Sequence, residues 1–337
     1  MDGRKRRILE LLIEDYVNLG EPVGSRTLSR KYQLGVSPAT IRNEMADLEE
    51  QGYLEHPHTS SGRVPSDKGY RYYVDQLLSR PGLDHSLIEW IRASYRAKAH
   101  EIAWLIHQTA RLVSDITAYP TVVLAPRGED AHLADLSVVI LAPTLAVLVV
   151  QTDAGYVESR TVGVPPELIG SDLAAMAAEI SRSLEGVPLR DLEGEMMKRL
   201  RRDLWRYQGF WREVIQRLAG AGEDEERVAL SGTRSMLNYP EFRDVERLKR
   251  VLGFLETESE IDRLLSTRES GQVEVLIGTE VPADDIQDCS VVTAAYRAGG
   301  QVVGRLLVLG PRRMQYGRVM AVLEAVSEEL SRALEWA

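Results

Sequence analysis

The sequence has little of what a disulfide-bonded, metal-binding or membrane-spanning protein needs. Its single cysteine, Cys289, excludes an intrachain disulfide framework and a CxxC metal site. The longest apolar run, residues 138–150, is interrupted by Pro143 and is shorter than the roughly 20 residues of a membrane span. The basic first residues lead into an acid-bearing amphipathic stretch rather than a signal-peptide core. We therefore expect a cytoplasmic protein without a membrane partner.

The length and the charge distribution indicate several domains and leave a nucleic-acid partner open. A chain of 337 residues with 44% hydrophobic and 27% charged residues is globular and too long for one compact core. The net charge of −10 argues at first against nucleic acid. Residues 1–80, however, hold 12 Lys/Arg and 12 Asp/Glu, so the whole negative excess lies in the rest of the chain. An acidic body would repel DNA and leave only the N-terminal tip to engage it.

The first fifty residues predict three helices arranged as a helix-turn-helix. A first helix is expected over residues 4–18, where apolar residues recur every four positions. A short second helix begins with Ser25 as its N-cap, and Gly35 suits the turn that follows it. Ser37 then caps a third helix, with Pro38 at the first helical position, where a missing N–H costs nothing. Two short helices joined by a tight glycine-containing turn are typical of this motif.

The third helix has one apolar face and one face suited to DNA. Ile41, Met45 and Leu48 fall on the side that should pack against the first two helices. The opposite side and its flanks carry Ala39, Thr40, Arg42, Asn43 and Ala46. Small residues let a helix enter the major groove, where asparagine can pair with adenine and arginine with guanine or phosphate. The hydroxyls of Ser37 and Thr40 at the helix N-terminus suit phosphate contacts.

Residues 53–65 predict a strand, a polar tip and a returning strand. From His56 to Arg71 the basic residues Arg63, Lys68 and Arg71 face one acid, Asp67, which indicates a DNA-contacting wing. The His-x-His spacing of His56 and His58 at the tip would allow a metal site. No cysteine lies near them in sequence, however, and the nearby hydroxyls favour phosphate contacts. The predicted DNA-contacting residues are Ser25, Arg26, Ser37, Ala39, Thr40, Arg42, Asn43, His56, His58, Thr59, Ser60 and Arg63.

The rest of the chain predicts an α+β multidomain architecture. One long helix is expected over 85–118, three antiparallel strands over 133–163, helices over 166–184 and 188–220, further strands over 273–277, 290–296 and 302–309, and a final helix over 315–335. The block of strands and helices over 133–220 interrupts what otherwise reads as one α/β unit. That pattern is typical of an inserted domain.

Several stretches closely resemble the heat-inducible transcription repressor family, HrcA. They are EPVGS (21–25), SPATIRNEM (37–45), PHTSSGRVP (57–65), LNYPEF (237–242), IGTE (277–280), DCS (288–290) and GPRRMQY (310–316). The resemblance covers essentially the whole chain. One departure is Arg312, where the family usually carries threonine. Because Arg312 is far from the wing in sequence, we expect it to matter little for DNA binding.

The resemblance implies a three-domain repressor. Residues 1–80 would form a winged helix-turn-helix, residues 85–130 and 223–337 a GAF-like domain, and residues 131–222 an inserted dimerisation domain. The resemblance also implies repression of chaperone operons of the groE and dnaK type through an inverted-repeat operator on double-stranded DNA. The protein would bind as a homodimer, with the helical block over 166–220 as the candidate interface. The GroE chaperonin would be a positive partner.

Two other functions are weighed against a repressor of this kind. A DeoR-like metabolite sensor also carries a Ser-x-x-Thr-Ile-Arg helix, but its following residues and its wing differ from those found here. The resemblance to a GAF-like domain nevertheless leaves ligand sensing open as an alternative, which ligand-dependent release from DNA would support. An enzyme would need a reactive centre. The glycine-rich residues 299–304 lack phosphate-loop spacing and suit a hairpin turn, the acids near 284–288 suit a solvated face, and Cys289 suits a core position. We expect no catalytic residue, cofactor or metal.

Overall fold

The structure of the protein is a computed structural model. It describes residues 1–57, 62–79, 82–95, 102–125, 132–152, 157–165, 168, 170–199, 207, 209–212, 214, 228–266, 273–298 and 300–335. Its N-terminal unit (residues 1–79) contains α1 (Gly3–Leu19), α2 (Ser25–Lys31), α3 (Pro38–Glu50), β1 (Leu54–Glu55), β2 (Val64–Pro65) and α4 (Asp67–Tyr72), which continues as a π-helical turn, Tyr73–Leu77. The predicted order of three helices and a two-stranded ribbon is confirmed.

The N-terminal helices pack because their apolar residues recur on single faces. Ile8, Leu12, Leu28, Ile41 and Leu48 are fully buried in one cluster. The turn between α2 and α3 requires a left-handed residue, which glycine adopts without steric cost, and the φ of the glycine at position 35 is +69°. Burial of each large aliphatic side chain contributes about 1.5–3 kcal/mol, so the cluster suffices to hold these short helices together.

The N-cap predicted for α2 is wrong by one residue. Gly24 has an extended backbone and its carbonyl accepts the first helical hydrogen bond, from the N–H of Leu28 at 3.2 Å. Ser25 is already helical and half-buried, and no side-chain hydrogen bond caps α2. Ser25 is therefore the first residue of the helix rather than its cap.

The remaining elements form two further sheets with their helices. They are α5 (His85–Tyr95), α6 (Ile102–Thr117), β3 (Thr121–Leu124), β4 (Leu133–Ala142), β5 (Leu145–Thr152), β6 (Val157–Gly163), α7 (Gly170–Leu184), α8 (Leu192–Arg199), β7 (Val228–Ser231), α9 (Val245–Glu256), α10 (Glu258–Ser266), β8 (Glu274–Ile277), β9 (Cys289–Ala298), β10 (Gln301–Pro311) and α11 (Tyr316–Glu335). None of the described helices is long and apolar enough to cross a membrane.

The larger sheet has five antiparallel strands in the order β7-β3-β10-β9-β8. Strand β3 ends before the block over 133–214, and β7 follows it. The two strands pair directly, with Thr121 opposite Ser231. The block therefore leaves the sheet and returns to it between neighbouring strands. Helices α6 and α11 cover one face, and the core on that face is continuous with the core of the N-terminal unit.

The smaller sheet has three antiparallel strands in the order β4-β5-β6, as the sequence predicts for 133–163. Helix α7 packs against β4, and the two share a separate core around Leu148, Ile180 and Trp211. The helix predicted over 188–220 is observed as a short 3-10 turn followed by α8, and residues 209–212 and 214 are also helical. Residues 200–206, 208, 213 and 215–220 lie outside the described part.

The single helix predicted over 85–118 is wrong. Along a continuous α-helix, Tyr95 and Thr109 would be separated by about 21 Å, because the rise is about 1.5 Å per residue. The Tyr95 hydroxyl instead lies 2.7 Å from Oγ1 of Thr109. Helices α5 and α6 therefore fold back on each other, and each contributes an apolar face to the core beneath α11. Both halves have the same apolar spacing, so the sequence pattern did not reveal the break between them.

Candidate nucleic-acid interface

Helix α3 begins at residues that are favoured at a helix N-terminus. The hydroxyl of Ser37 accepts the N–H of Thr40 at 3.1 Å, and the two hydroxyl oxygens lie 3.0 Å apart. Pro38 occupies the first turn, as predicted. Pro38 has no N–H and the N–H groups of Thr40 and Ile41 are bonded to Ser37, so the two hydroxyls and the N–H of Ala39 remain at the N-terminus, where the helix dipole favours an anion such as a phosphate.

The outer face of α3 presents small and hydrogen-bonding side chains to solvent. Ala39, Arg42 and Asn43 are exposed, and Ala46 is half-buried. Among the described residues, neither Arg42 nor Asn43 forms an ion pair or side-chain hydrogen bond. The apolar spacing predicts that these side chains share one face, and the burial of Ile41, Met45 and Leu48 on the other face confirms that division. Such a surface can enter the major groove and present an amide and a guanidinium to base edges.

Acidic residues on α3 are engaged by basic residues from outside the helix. Lys5 of α1 contacts Asp47 at 2.8 Å and Glu44 at 3.7 Å, and Arg4 contacts Glu44 at 3.4 Å. The hydrogen bond that Lys5 donates to Asp47 raises the pKa of Lys5, whereas burial acts in the opposite direction. These pairs offset carboxylates that would otherwise repel DNA phosphates. These pairs were not predicted from the sequence, because the partners lie about forty residues apart.

The ribbon that follows α3 is short and anchored to the preceding loop. Leu54 lies opposite Pro65, and Glu55 opposite Val64. The next residue outward, Arg63, exchanges both backbone hydrogen bonds with Val23 at 2.9 Å. The loop before α2 thus pairs with the ribbon through an isolated β-bridge at the outer end of β2. This arrangement fixes the ribbon beside α2 and α3.

Arg63, which is predicted to contact DNA, is engaged by a carboxylate of the protein itself. Its Nε donates to Oε2 of Glu49 on α3 at 2.7 Å, and only 17% of the side chain is exposed. Entry of Arg63 into a groove stays a prediction, and it now requires release from Glu49. The observed role is to join the ribbon to α3.

The remaining predicted residues occupy varied positions. Arg26 is exposed on α2. His56 is exposed, and its Nδ1 lies 3.1 Å from the carbonyl oxygen of Pro57. His58, Thr59 and Ser60 lie outside the described residues. Within the described ranges no three His, Cys, Asp or Glu side chains are grouped to hold a metal ion.

The basic wing predicted from His56 to Arg71 is too long. The returning strand ends at Pro65, and Lys68 and Arg71 belong to α4. Lys68 donates to the carbonyl of Gln51 at 2.8 Å and lies above the ring of Tyr53, whereas Arg71 binds Glu280. The sequence analysis missed the helix because its six residues span less than two turns.

Comparison with known proteins identifies relatives along the whole chain. A family model described as the HrcA protein C terminal domain matches residues 104–320. The heat-inducible transcription repressor HrcA of Symbiobacterium thermophilum is 43% identical over 334 residues and covers 98% of both chains. The repressor of the same name from Pelotomaculum thermopropionicum is 40% identical over 338 residues, covering 99% of this chain and 97% of the relative. A crystal structure of a protein described only as hypothetical shares the fold, with a TM-score of 0.73 at 21% identity, over 100% of this chain and 99% of the other.

Proposed function

The chain belongs to the HrcA family of heat-inducible transcription repressors, and on this premise we propose that it silences chaperone operons by binding DNA. The N-terminal unit is the winged helix-turn-helix of this proposal. Two copies of it in a homodimer read an inverted-repeat operator in front of operons of the groE and dnaK type, because an inverted repeat mirrors the twofold symmetry of a dimer.

One observation carries the DNA-binding proposal. Helix α3 exposes Ala39, Arg42 and Asn43, while its acids at 44, 47 and 49 are engaged by arginine or lysine. Asn43 pairs with adenine, and Arg42 contacts guanine or phosphate. The remaining predicted residues contact the sugar-phosphate backbone and set the register of the helix in the groove. These are Ser25, Arg26, Ser37, Thr40, His56, His58, Thr59, Ser60 and, on release from its partner, Arg63.

We propose that the five-stranded sheet and its helices form the GAF-like domain from residues 85–130 and 223–337. Residues 131–222 form the inserted dimerisation domain. The pairing of β3 with β7 supports this division, because the inserted residues leave and rejoin the sheet between those two strands. The separate core around Leu148, Ile180 and Trp211 also supports it. A unit with its own core can be inserted without disturbing the host sheet.

The inserted unit also carries exposed apolar surface that a second copy would cover. At the turn between β4 and β5, Val139, Ile140, Leu141 and Leu145 are between 39% and 58% exposed. Adjacent exposed aliphatic residues of this kind mark interaction sites or aggregation-prone surfaces. The helical block over 166–220 remains the predicted interface, and the hairpin end adds apolar area on the same unit.

The long-range strand pairing in the five-stranded sheet supports the GroE chaperonin as a positive modulator. Strand β3 must find β10 across most of the chain, with Leu124 opposite Arg305. Such non-local pairing is slow and leaves apolar strands exposed during folding. A chaperonin that rescues misfolded chains would raise the active fraction of repressor without contacting DNA.

The test is a binding titration with duplexes from the upstream regions of chaperone genes, using equally long coding-sequence duplexes as the control. We expect tight, salt-sensitive binding to an inverted repeat upstream of these genes and only weak binding to the controls. Addition of chaperonin with ATP should raise the stoichiometric active fraction. Equal affinity for both sets of duplexes would refute the operator proposal. An active fraction near one that does not respond to chaperonin would refute only the modulation.

A further inference from the structure

Several stretches that resemble the HrcA family lie outside the N-terminal unit in sequence but meet at one surface of that unit in the fold. The residues that follow β10 contribute two arginines, and the 3-10 turn after β8 and the 3-10 turn before α9 contribute one glutamate each, to three arginine–carboxylate pairs. The pairs are Arg71–Glu280, Arg312–Asp67 and Arg313–Glu241. We call this set of contacts the junction. Two of its pairs connect the N-terminal unit directly to the five-stranded sheet, and the third holds an arginine that contacts α1.

Asp67, the first residue of α4, is inserted into the turn after β8. Its Oδ1 accepts from Nη1 of Arg312 at 2.8 Å. Its Oδ2 accepts from the N–H and the hydroxyl of Thr279 at 3.1 and 3.3 Å. Gly278 has a φ of +55°, and a Cβ there would overlap this carboxylate. The turn therefore needs glycine both for its backbone conformation and for the space that Asp67 occupies.

One helical turn further along α4, Arg71 makes the reciprocal contact. Its Nε donates to Oε1 of Glu280 at 2.8 Å, its second terminal nitrogen contacts the other carboxylate oxygen, and it also donates to the carbonyl of Val275. Glu280 is held in place by the N–H of Ile277 at 2.9 Å. A bidentate arginine–carboxylate pair fixes orientation as well as distance. Asp67 and Arg71 thus hold α4 at its first residue and again one turn later.

The second attachment lies at the carboxyl end of α1. Arg313 is paired with Glu241, and its guanidinium donates to the carbonyl of Val17 at 3.4 Å. Only 12% of the Arg313 side chain is exposed. The guanidinium also lies against Gly20, the residue that ends α1. Neighbouring arginines at the end of one strand thus hold α4 and α1, two separate elements of the N-terminal unit.

A buried aromatic contact lies beneath these ion pairs. Tyr70 of α4 and Tyr316 of α11 are almost fully buried, with ring centroids 6.0 Å apart. The Tyr316 hydroxyl donates to the carbonyl of Arg312 at 2.5 Å. The apolar contact opposes separation of the N-terminal unit from the sheet, and the directional ion pairs around it oppose rotation of that unit. Arg312 was expected to matter little for DNA binding because it is far from the wing in sequence. In the folded protein, however, Arg312 contacts Asp67 of the N-terminal unit, so that reason no longer holds.

We infer that Arg312, together with Asp67 and the other junction residues, positions the N-terminal unit and so sets the half-site spacing that a dimer accepts. This inference rests on the proposed function. One added base pair moves a half-site by about 3.4 Å and turns it by about 35° around the duplex. An N-terminal unit that is fixed to the five-stranded sheet cannot move with the displaced half-site, whereas a loosely held N-terminal unit can. The junction residues are positioning residues and do not touch DNA.

The experiment measures spacing tolerance with the full-length chain. Wild-type protein selects binding sites from a random duplex library, and the selected inverted repeat is resynthesised with spacers one base pair longer or shorter. We expect wild type to lose about tenfold in affinity with either altered spacer, and Arg312→Thr and Asp67→Asn to lose less than about threefold. Discrimination between bases within one half-site should be unchanged. Arg312→Lys, which keeps the charge, should restore the wild-type profile.

The matched control is Arg111→Thr, which removes an exposed arginine–aspartate pair on α6. It should give the wild-type spacing profile. Thermal unfolding of each variant establishes the folded fraction, and Asp67→Asn, nearly isosteric, serves if Arg312→Thr fails to fold. Identical spacing profiles for wild type and folded junction variants would overturn the inference while leaving DNA binding intact. If wild type selects no inverted repeat, the proposed function itself fails, and the inference fails with it.

Discussion

Replacement of Asn43 by alanine should separate DNA reading from folding. Asn43 is exposed on α3 and, among the described residues, its side chain forms no hydrogen bond. Its loss therefore removes no contact that stabilises the fold, and alanine is the better helix former, by up to about 0.7 kcal/mol. A bidentate contact to adenine is worth about 1–3 kcal/mol, or roughly 5- to 150-fold in affinity. We expect a stable or slightly stabilised variant that loses discrimination at one base pair of each half-site.

The assay is fluorescence anisotropy on the selected operator and on duplexes carrying each single base substitution, at fixed salt. Asn18→Ala is the matched control, because Asn18 is an exposed helical asparagine on α1. It should retain both affinity and discrimination. Wild-type discrimination at every position in folded Asn43→Ala would show that α3 does not read bases in this way. A uniform loss across all duplexes would instead assign Asn43 to phosphate contact.

Other predictions concern stability, reactivity and assembly. Gly278→Ala should lower the free energy of unfolding by about 1–3 kcal/mol, because it strains a positive φ and displaces Asp67; an unchanged denaturation midpoint would contradict this. Burial raises the pKa of the Cys289 thiol to about 12, so native protein at pH 9 should resist iodoacetamide until it is unfolded, and rapid native labelling would be contrary evidence. In sedimentation velocity, Leu141→Asp should weaken the dimer and Leu237→Asp, equally exposed elsewhere, should not; equal effects would remove the hairpin from the interface.

Local signals in the sequence determined much of the N-terminal unit. The cap at Ser37, the proline after it and the glycine at position 35 act on residues within one or two turns, so their effects are readable without a fold. The same is true of the apolar spacing that buries Ile41 and Leu48 and leaves Asn43 exposed. Hairpin strands are similarly readable, and β9 and β10 formed around the predicted glycine turn.

Predictions that depended on distant partners were incomplete. The sequence assigned Arg63 to DNA because its local neighbours are polar, but Glu49 occupies its guanidinium. It assigned Arg71 to the wing because the segment is basic, but Glu280 binds it from the other end of the chain. A basic residue in a short stretch of sequence predicts only that its side chain needs an anionic partner. Whether that partner is a phosphate or a carboxylate depends on which elements the fold brings within a few ångströms.

The sequence alone therefore predicted the surface that is proposed to read DNA, whereas the tertiary structure decided how that surface is held. Arg312 and Asp67 are 245 residues apart and 2.8 Å apart in space. Helical and turn preferences arise from interactions between residues a few positions apart, so they are encoded in the order of the chain. An ion pair across 245 residues exists only because a five-stranded sheet and a buried tyrosine contact bring β10 against α4, and no local pattern specifies that approach.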